Sequence, residues 1–210
     1  MISKHAKYNT LNPISKKLLA NFFSAIEQFY SKIEAEIVLD IGCGEGMLLN
    51  VLEPYAKEQK CFAIDIDPKE VRDAKKNIPF CTVSVGNAYK IPFENNFADI
   101  VICSEVLEHL ESPEDALNEI HRVSNRYAIL TVPNEPLWSF LNMVRLKYWN
   151  EFGNTPGHIN RWTPQEFKDI VREKFNIIGV QYPTPWTVLL CEKKFNYEKI
   201  KYISNTDLLE

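Results

Sequence analysis

VLDIGCGEG, at residues 38–46, joins a short apolar run to three closely spaced glycines. The apolar part has the length of a buried β-strand. Glycines directly after a strand allow a tight turn and let a ligand come close to the backbone. In open α/β sheets, ligands bind at the carboxyl ends of the strands. This segment therefore predicts the first strand of an α/β domain with a ligand-binding turn at its end; a plain strand-to-helix turn is the alternative.

Strand-like and helix-like segments alternate along the chain around this turn. Strands are predicted at residues 36–41, 60–65, 81–85, 98–104, 126–132, 176–182 and 187–194. Helical patterns cover residues 12–33, 45–58, 68–77 and 113–124, and a further helix follows residue 163. Strands separated by helices form a parallel sheet that is covered on both faces. Only about four residues connect the last two strands, too few for a crossover helix. We therefore predict a doubly wound α/β fold, with a seven-stranded, mostly parallel sheet and a C-terminal antiparallel hairpin.

The predicted helix starts carry familiar capping residues. Pro68 occupies a first-turn position, where its missing N–H costs nothing. Ser112 precedes Pro113 and is expected to cap the next helix with its side chain. Thr163 and Glu166 have the spacing of a capping box.

Composition and charge place the chain among ordinary soluble proteins. It has 210 residues, of which 45% are apolar and 25% charged, with a formal net charge of −4. No apolar run approaches the roughly 20 residues of a membrane span, and the first ten residues lack the apolar core of a signal peptide. The five cysteines are scattered, which suits reduced thiols and a cytoplasmic location. The negative net charge disfavours nucleic acid as a partner.

We divide the chain into three regions. They are an N-terminal amphipathic helix (1–35), an α/β domain (36–195) with an aromatic insert (134–158), and a C-terminal tail (196–210). The insert is rich in tryptophan, tyrosine and phenylalanine. It is either a helix packed on the core, a lid over an acceptor, or an interfacial helix that contacts a membrane surface and collects a lipid-like substrate.

The acidic residues near the glycines indicate the kind of ligand. A dinucleotide site would have the spacing G-x-G-x-x-G, whereas this turn has G-x-G-x-G. Asp40 and Glu45 disfavour a pyrophosphate at the turn and favour a ligand that carries an amino group. Asp65 ends the second predicted strand, about 20 residues after the glycines. A carboxylate there can accept both hydroxyls of a ribose, although a plain surface acid is the alternative.

Four motifs occur in an order that resembles the class I S-adenosylmethionine-dependent methyltransferases. They are VLDIGCGEG at 38–46, AIDID at 63–67, VGNA at 85–88 with IPF at 91–93, and ADIVICSEVLEHL at 98–110. The terminal hairpin is similar to the reversed seventh strand of that family. The resemblance spans residues 36–195 and implies S-adenosylmethionine as the cofactor.

The resemblance also implies a set of cofactor-binding residues. They are Asp40, Gly42, Gly44, Asp65, Ile66, Asn87, Ala88 and Ser104. In this interpretation Asp40 orients the amino group of the cofactor and Asp65 accepts the ribose hydroxyls. Position 87 is usually an aspartate in the family, and Asn87 offers the adenine amino group an uncharged amide oxygen instead.

The segment after the fourth predicted strand contains the spacing E-x-x-E-H, formed by Glu105, Glu108 and His109. If this segment is helical, the three side chains share one face. Two carboxylates and an imidazole can bind a divalent cation, or one of the glutamates can fix the tautomer of His109 in an acid/base pair. A purely structural role for these residues is the third interpretation.

A distant histidine, His158, is followed by Trp162 and Thr163. E-x-x-E-H combined with H-x-x-x-W-T resembles the metal set of small-RNA 2′-O-methyltransferases, and E-x-x-E-H alone resembles the ubiquinone-pathway O-methyltransferases. The resemblance implies a divalent metal, such as magnesium, held by four ligands. These ligands are Glu105, Glu108, His109 and His158; as catalytic residues we expect Glu105, His109 and His158.

Together these features predict a methyltransferase that transfers a methyl group from S-adenosylmethionine to an oxygen of a small, partly apolar or lipid-like acceptor. RNA 2′-O-methylation is the second interpretation, on the histidine pattern and on aromatic residues that could stack with bases. A cofactor-binding module without activity is a third interpretation, and a dinucleotide-dependent enzyme is a fourth. The glycine spacing disfavours the dinucleotide, and the intact acid/base residues disfavour the inactive module.

Overall fold

A computed structural model describes residues 12–144 and 157–194 of the chain. The strands are β1 (Ile37–Ile41), β2 (Lys60–Asp65), β3 (Cys81–Val85), β4 (Ala98–Ser104), β5 (Ser124–Pro133), β6 (Phe175–Gln181) and β7 (Trp186–Lys193). The helices are α1 (Pro13–Tyr30), α2 (Met47–Val51), α3 (Glu53–Ala56), α4 (Pro68–Asn77), α5 (Pro113–Val123), α6 (Leu137–Val144) and α7 (Pro164–Arg172), with a 3-10 helix at Leu107–His109.

All seven strands lie in one sheet, in the order β3-β2-β1-β4-β5-β7-β6. The pairs among β1 to β5 are parallel. β7 lies between β5 and β6 and is antiparallel to both. The predicted fold, a doubly wound sheet with a C-terminal antiparallel hairpin, is confirmed.

Two details of the predicted helices are wrong. The helix expected over residues 45–58 is divided at Leu52 into α2 and α3. Pro54 lies in the first turn of α3, where it lacks the N–H that a continuous helix would need. The side chain of Ser112 makes no capping bond, and its backbone N–H instead donates to the hydroxyl of Tyr89 at 3.1 Å. The capping box of Thr163 and Glu166 is present as predicted.

The sheet has an apolar core on each face. Val38 and Leu39, neighbours on β1, belong to different cores because successive strand residues point to opposite faces. α1 covers the first core with Phe22 and Ile26, whereas α5 and α7 cover the second. The N-terminal helix is therefore packed on the sheet, and its Phe22 also lines a cavity beside the glycine turn.

Other expectations concern regions or properties that the structure covers only in part. All five cysteines are free. Within residues 12–144 and 157–194, no helix has both the length and the apolar composition needed to cross a membrane. Most of the aromatic part of the insert (145–156), the first 11 residues and the tail after residue 194 lie outside the described residues. The lid and membrane-surface interpretations of the insert thus stay predictions.

Candidate cofactor and active site

The glycine turn after β1 is built on left-handed backbone. Gly42, Gly44 and Gly46 have φ angles of 74°, 53° and 84°, a region that side chains rarely adopt. A Cβ atom on Gly42 would lie 2.2 Å from Cγ2 of Val106, whereas on Gly44 its nearest neighbour would be a Glu70 carboxyl oxygen at 4.0 Å. The turn therefore packs tightly against Val106 at Gly42, whereas at Gly44 there is space for a ligand beside the backbone.

Two cavities adjoin this turn, at the carboxyl ends of β1, β2 and β4. The first cavity, of about 260 Å³, is lined among others by Asp65, Ile66, Asn87, Ala88, Val106 and His109. The second cavity, of about 360 Å³, is lined among others by Phe22, Phe23, Asp40, Gly44, Ser104 and Trp186. Gly42 and Glu105 line both cavities. Each of the eight residues predicted to bind the cofactor therefore faces one or both cavities.

Asp65 is held in place by backbone donors and keeps capacity for a ligand. Its Oδ2 accepts from the N–H of Gly44 at 2.8 Å, and its Oδ1 accepts from the N–H of Asp67 at 2.9 Å. Each carboxylate oxygen can accept a further bond. Asn87 is oriented similarly, because its Oδ1 accepts from the N–H of Tyr89 at 2.9 Å. Both side chains present oriented oxygen acceptors to the first cavity.

Asp40 is a buried carboxyl group at the end of β1, with only 2% of the residue exposed. Burial, and to a smaller extent the negative charge of Asp65, raise its pKa from 3.8 to about 7. The pKa of Asp40 is higher in the folded protein than in the unfolded chain. The free energy of unfolding therefore falls as the pH rises from 3.8 to about 7. A positively charged group in the second cavity would stabilise the ionised form of Asp40, so this cavity favours a cationic ligand group.

Glu105 lies between the cavities in a strained conformation. Its φ angle is 59°, which is uncommon for a residue other than glycine. The indole N–H of Trp186 donates to one carboxyl oxygen at 2.7 Å, and the hydroxyl of Thr131 donates to the other at 3.1 Å. Burial raises the pKa of Glu105 and these two donors oppose the rise. The carboxyl group is thereby fixed at the boundary of the two cavities.

Glu108, His109 and His158 form a compact group beside the first cavity. One potential ligand atom from each lies within 4.8 Å of the others. Glu108 is 1% exposed, and neither of its carboxyl oxygens has a hydrogen-bond partner among the described residues. Its burial raises its pKa well above the usual range. Burial and the neighbouring His109 lower the pKa of His158 to about 4, which keeps it neutral and able to bind a metal.

Glu105 is not part of this group. The 3-10 helix begins only at Leu107, so Glu105 precedes the turn and does not share a helical face with Glu108 and His109. The structure brings three of the four predicted metal ligands together. The fourth, Glu105, instead accepts hydrogen bonds from Trp186 and Thr131.

A row of aromatic rings connects the second cavity with the histidines. Ring centroids are 4.6 Å apart for Phe22 and Trp186, 5.6 Å for Trp186 and Trp138, and 6.0 Å for Trp138 and His158. Sequence reasoning missed Trp186, because it lies about 80 residues after Glu105 and reaches the site only through the pairing of β7 with β5.

The sheet order, the reversed β7 and the two neighbouring cavities describe an α/β domain with a candidate ligand site at the carboxyl ends of its strands. Residues 39–131 match the family model described as a methyltransferase domain. Residues 39–131 therefore form a methyltransferase domain, and the resemblance to the class I S-adenosylmethionine-dependent methyltransferases predicted from the four motifs is confirmed.

The relatives agree with this assignment. An uncharacterized methyltransferase of Schizosaccharomyces pombe is 34% identical over 98 residues, which cover 41% of this chain and 35% of that protein. The matched segments span about a third of the first curated relatives (35%, 32% and 34%).

Solved structures share the fold at low sequence identity. A SAM-dependent methyltransferase from Aquifex aeolicus has a TM-score of 0.66 at 18% identity, covering 90% of this chain and 98% of that one. A magnesium protoporphyrin IX methyltransferase from Synechocystis PCC 6803, solved with bound S-adenosylhomocysteine, has a TM-score of 0.64 at 17% identity, covering 88% and 89%.

The raised pKa of Asp40 gives a testable pH dependence. If Asp40 binds the amino group of S-adenosylhomocysteine, as the resemblance implies, it must be ionised to do so, and protonation of Asp40 in the free protein then competes with binding. We expect the dissociation constant measured by calorimetry to be about 10-fold larger at pH 6 than at pH 8, given the pKa of about 7. Asp40→Asn should bind S-adenosylhomocysteine more weakly and lose most of this pH dependence. If its dissociation constant changes with pH as much as that of the parent protein, Asp40 does not bind the amino group.

Proposed function

We propose that the chain transfers the methyl group of S-adenosylmethionine to an oxygen of a small, partly apolar acceptor. The observation that carries this proposal is the Glu108–His109–His158 group, which lies beside the cavity that we assign to the cofactor. Transfer to oxygen requires that the acceptor lose a proton, and such a group can assist that loss either with a metal or as a base.

The residues around the turn fit the charge and shape of the cofactor. Asp65 would accept the ribose hydroxyls and Asn87 the adenine amino group, with Ile66 and Ala88 beside the base. Asp40 would bind the amino group in the second cavity, where Gly44 leaves the backbone open. When bound, the cofactor supplies an electrophilic methyl group, so the task left to these residues is alignment.

Glu108, His109 and His158 fit a divalent cation. A buried carboxylate without partners is costly, and a cation would compensate it. The two imidazole nitrogens suit zinc, and the carboxylate oxygen also suits manganese or magnesium. A bound cation would lower the pKa of an acceptor hydroxyl. For Glu105 to become a fourth ligand of that cation, it would have to leave Trp186 and Thr131. Without a cation, His109 or His158 would act as the base.

The lining of the second cavity favours an acceptor with apolar parts. α1 contributes Leu19, Phe22 and Phe23, and β7 contributes Trp186. These side chains lie next to Asp40 and Ser104, where the methionine half of the cofactor would end. An acceptor that approaches along this wall would meet aromatic and aliphatic surface before it reaches the reacting centre.

The metal assignment can be tested without knowing the acceptor. Chelator-treated protein should bind one Mn²⁺ or Zn²⁺, and Glu108→Gln should weaken this binding by more than about 10-fold, because even outer partners of metal ligands contribute that much. Affinity for S-adenosylhomocysteine should stay within about threefold. His121→Ala is the matched control, since His121 lies apart from the group and bonds to the carbonyl of Lys194. Equal metal affinity of Glu108→Gln and the parent protein would refute the metal site.

The acceptor class is tested by product analysis. The protein is incubated with S-adenosylmethionine and separate phenolic, aliphatic hydroxyl, amine, thiol and short RNA acceptors, and the methylated atom is located by mass spectrometry. We expect O-methylation of a hydroxyl compound, reduced by chelator and by Glu108→Gln. Methylation of nitrogen or sulfur alone, or of the RNA alone, would overturn the proposed acceptor. Retention of full turnover in chelator would favour a histidine base.

A further inference from the structure

We infer that the Glu105 carboxylate is the counter-ion of the cofactor's sulfonium centre, and that Trp186 and Thr131 hold it in that position. This inference rests on the proposed function, because it requires that S-adenosylmethionine binds in the two cavities. It gives Glu105 a role in binding the charged cofactor rather than in holding a metal.

The position of Glu105 is the first argument. The sulfur atom of the cofactor links its adenosine half to its methionine half. In the proposed function, Asp65 and Asn87 bind the adenosine half and Asp40 binds the amino acid half, and these residues line the first and the second cavity respectively. The sulfur must then lie where the cavities meet. Gly42 and Glu105 line both cavities, and of these two only Glu105 carries a charge.

The hydrogen bonds of Glu105 are the second argument. Both partners of its carboxyl oxygens are neutral donors, the indole N–H of Trp186 and the hydroxyl of Thr131. They orient the carboxyl group and contribute no formal positive charge of their own. Ser104 extends the network, since its hydroxyl lies 3.0 Å from that of Thr131. A cationic ligand at the junction would supply the missing positive charge.

The backbone of Glu105 is the third argument. A φ of 59° stores strain, which the surrounding structure must hold. The N–H of Glu105 donates to the carbonyl and hydroxyl oxygens of Thr131, at 3.3 and 3.2 Å. This strained conformation follows directly on β4 and places the side chain at the junction. The surrounding contacts therefore hold Glu105, whose carboxyl group faces both cavities, in an unfavourable backbone conformation.

The charge on sulfur is lost during methyl transfer, so this interaction stabilises the bound cofactor more than the transition state. Glu105 therefore favours the charged cofactor over its neutral product. S-adenosylmethionine carries the positive sulfur and S-adenosylhomocysteine does not, while the rest of the two molecules is shared. The ratio of their affinities isolates the contribution of Glu105 from that of the other residues.

The test is calorimetric titration of three ligands in the presence of chelator at a fixed pH of 8. They are S-adenosylmethionine, sinefungin, which has an ammonium group in place of the methylsulfonium, and S-adenosylhomocysteine. In Glu105→Gln we expect the preference for the two cationic ligands over S-adenosylhomocysteine to fall by about 10-fold, as for the loss of a partly buried ion pair. Affinity for S-adenosylhomocysteine itself should change by less than about threefold.

A second pair of variants tests the positioning role. Trp186→Phe keeps an aromatic ring but removes the N–H, and should lower the same preference by about threefold, the effect of weakening one charge-assisted bond. Trp138→Phe is the matched control, because Trp138 packs against Trp186 and should leave the preference unchanged. If Glu105→Gln and Trp186→Phe bind all three ligands with the parent ratios, the inference is wrong while the proposed function stands. If the parent protein binds none of the ligands, both are wrong.

Discussion

Replacing Asp65 by alanine is expected to weaken the binding of S-adenosylhomocysteine by about 100-fold or more. The variant would lose the two charge-assisted hydrogen bonds from the ribose hydroxyls to Asp65, each contributing about 1.5–3 kcal/mol. The variant would also leave the N–H groups of Gly44 and Asp67 without their acceptor, which loosens the turn. Calorimetric titration of the purified variant measures this loss directly.

Two matched substitutions separate binding from folding. Asp65→Asn keeps one oxygen acceptor and should give an intermediate affinity. Asp67→Ala removes the cap of α4, where Asp67 accepts from the N–H of Lys69 at 2.7 Å. It should lower the free energy of unfolding by about 1 kcal/mol and leave the affinity nearly unchanged. Equal affinities for Asp65→Ala and Asp67→Ala would exclude Asp65 as the ribose acceptor.

Gly42→Ala is expected to disrupt both stability and binding. A methyl group there would lie 2.2 Å from Val106, so the turn or the segment after β4 must move. Overpacking of this kind costs about 1–3 kcal/mol, and the left-handed backbone adds about 1–2 kcal/mol. Because Gly42 lies at the junction of the cavities, this shift should weaken S-adenosylhomocysteine binding by more than about 10-fold. Chemical denaturation and calorimetry measure the two effects.

The contribution of the clash can be isolated. Gly44→Ala has the same kind of backbone strain, but beyond its chain neighbours the nearest atom of the described residues is 4.0 Å away, so its free energy of unfolding should fall less than that of Gly42→Ala. Adding Val106→Ala to Gly42→Ala removes the clashing methyl groups and should recover part of the affinity. If Gly42→Ala and Gly44→Ala are equally stable, the contact with Val106 is unimportant.

The fold was predictable because its signals are local. Each strand is a short apolar run, and glycine, Pro68 or Thr163 marks where a turn or helix begins. The cofactor residues share this advantage, since Asp40 and Asp65 end consecutive strands and topology alone brings strand ends together. Pro54 is a local signal of the same kind, and it divides the helix predicted over residues 45–58.

The acceptor side depends on contacts between distant segments. Trp186 reaches Glu105 because β7 inserts beside β5, and Phe22 reaches the second cavity because α1 packs on the sheet. No spacing in the sequence encodes either contact. The helical face predicted for Glu105, Glu108 and His109 fails at Glu105, where a left-handed φ replaces the first turn. Periodicity cannot anticipate a strained residue that tertiary contacts hold in place.

The most direct test of the central claim is calorimetric titration of S-adenosylhomocysteine into the full chain, with NAD as the competing ligand. The carboxylates at Asp40 and Asp65 and the G-x-G-x-G turn predict saturable binding of one S-adenosylhomocysteine per chain and no measurable binding of NAD. Binding of NAD without binding of S-adenosylhomocysteine would contradict the account, and the turn after β1 would then be a dinucleotide site.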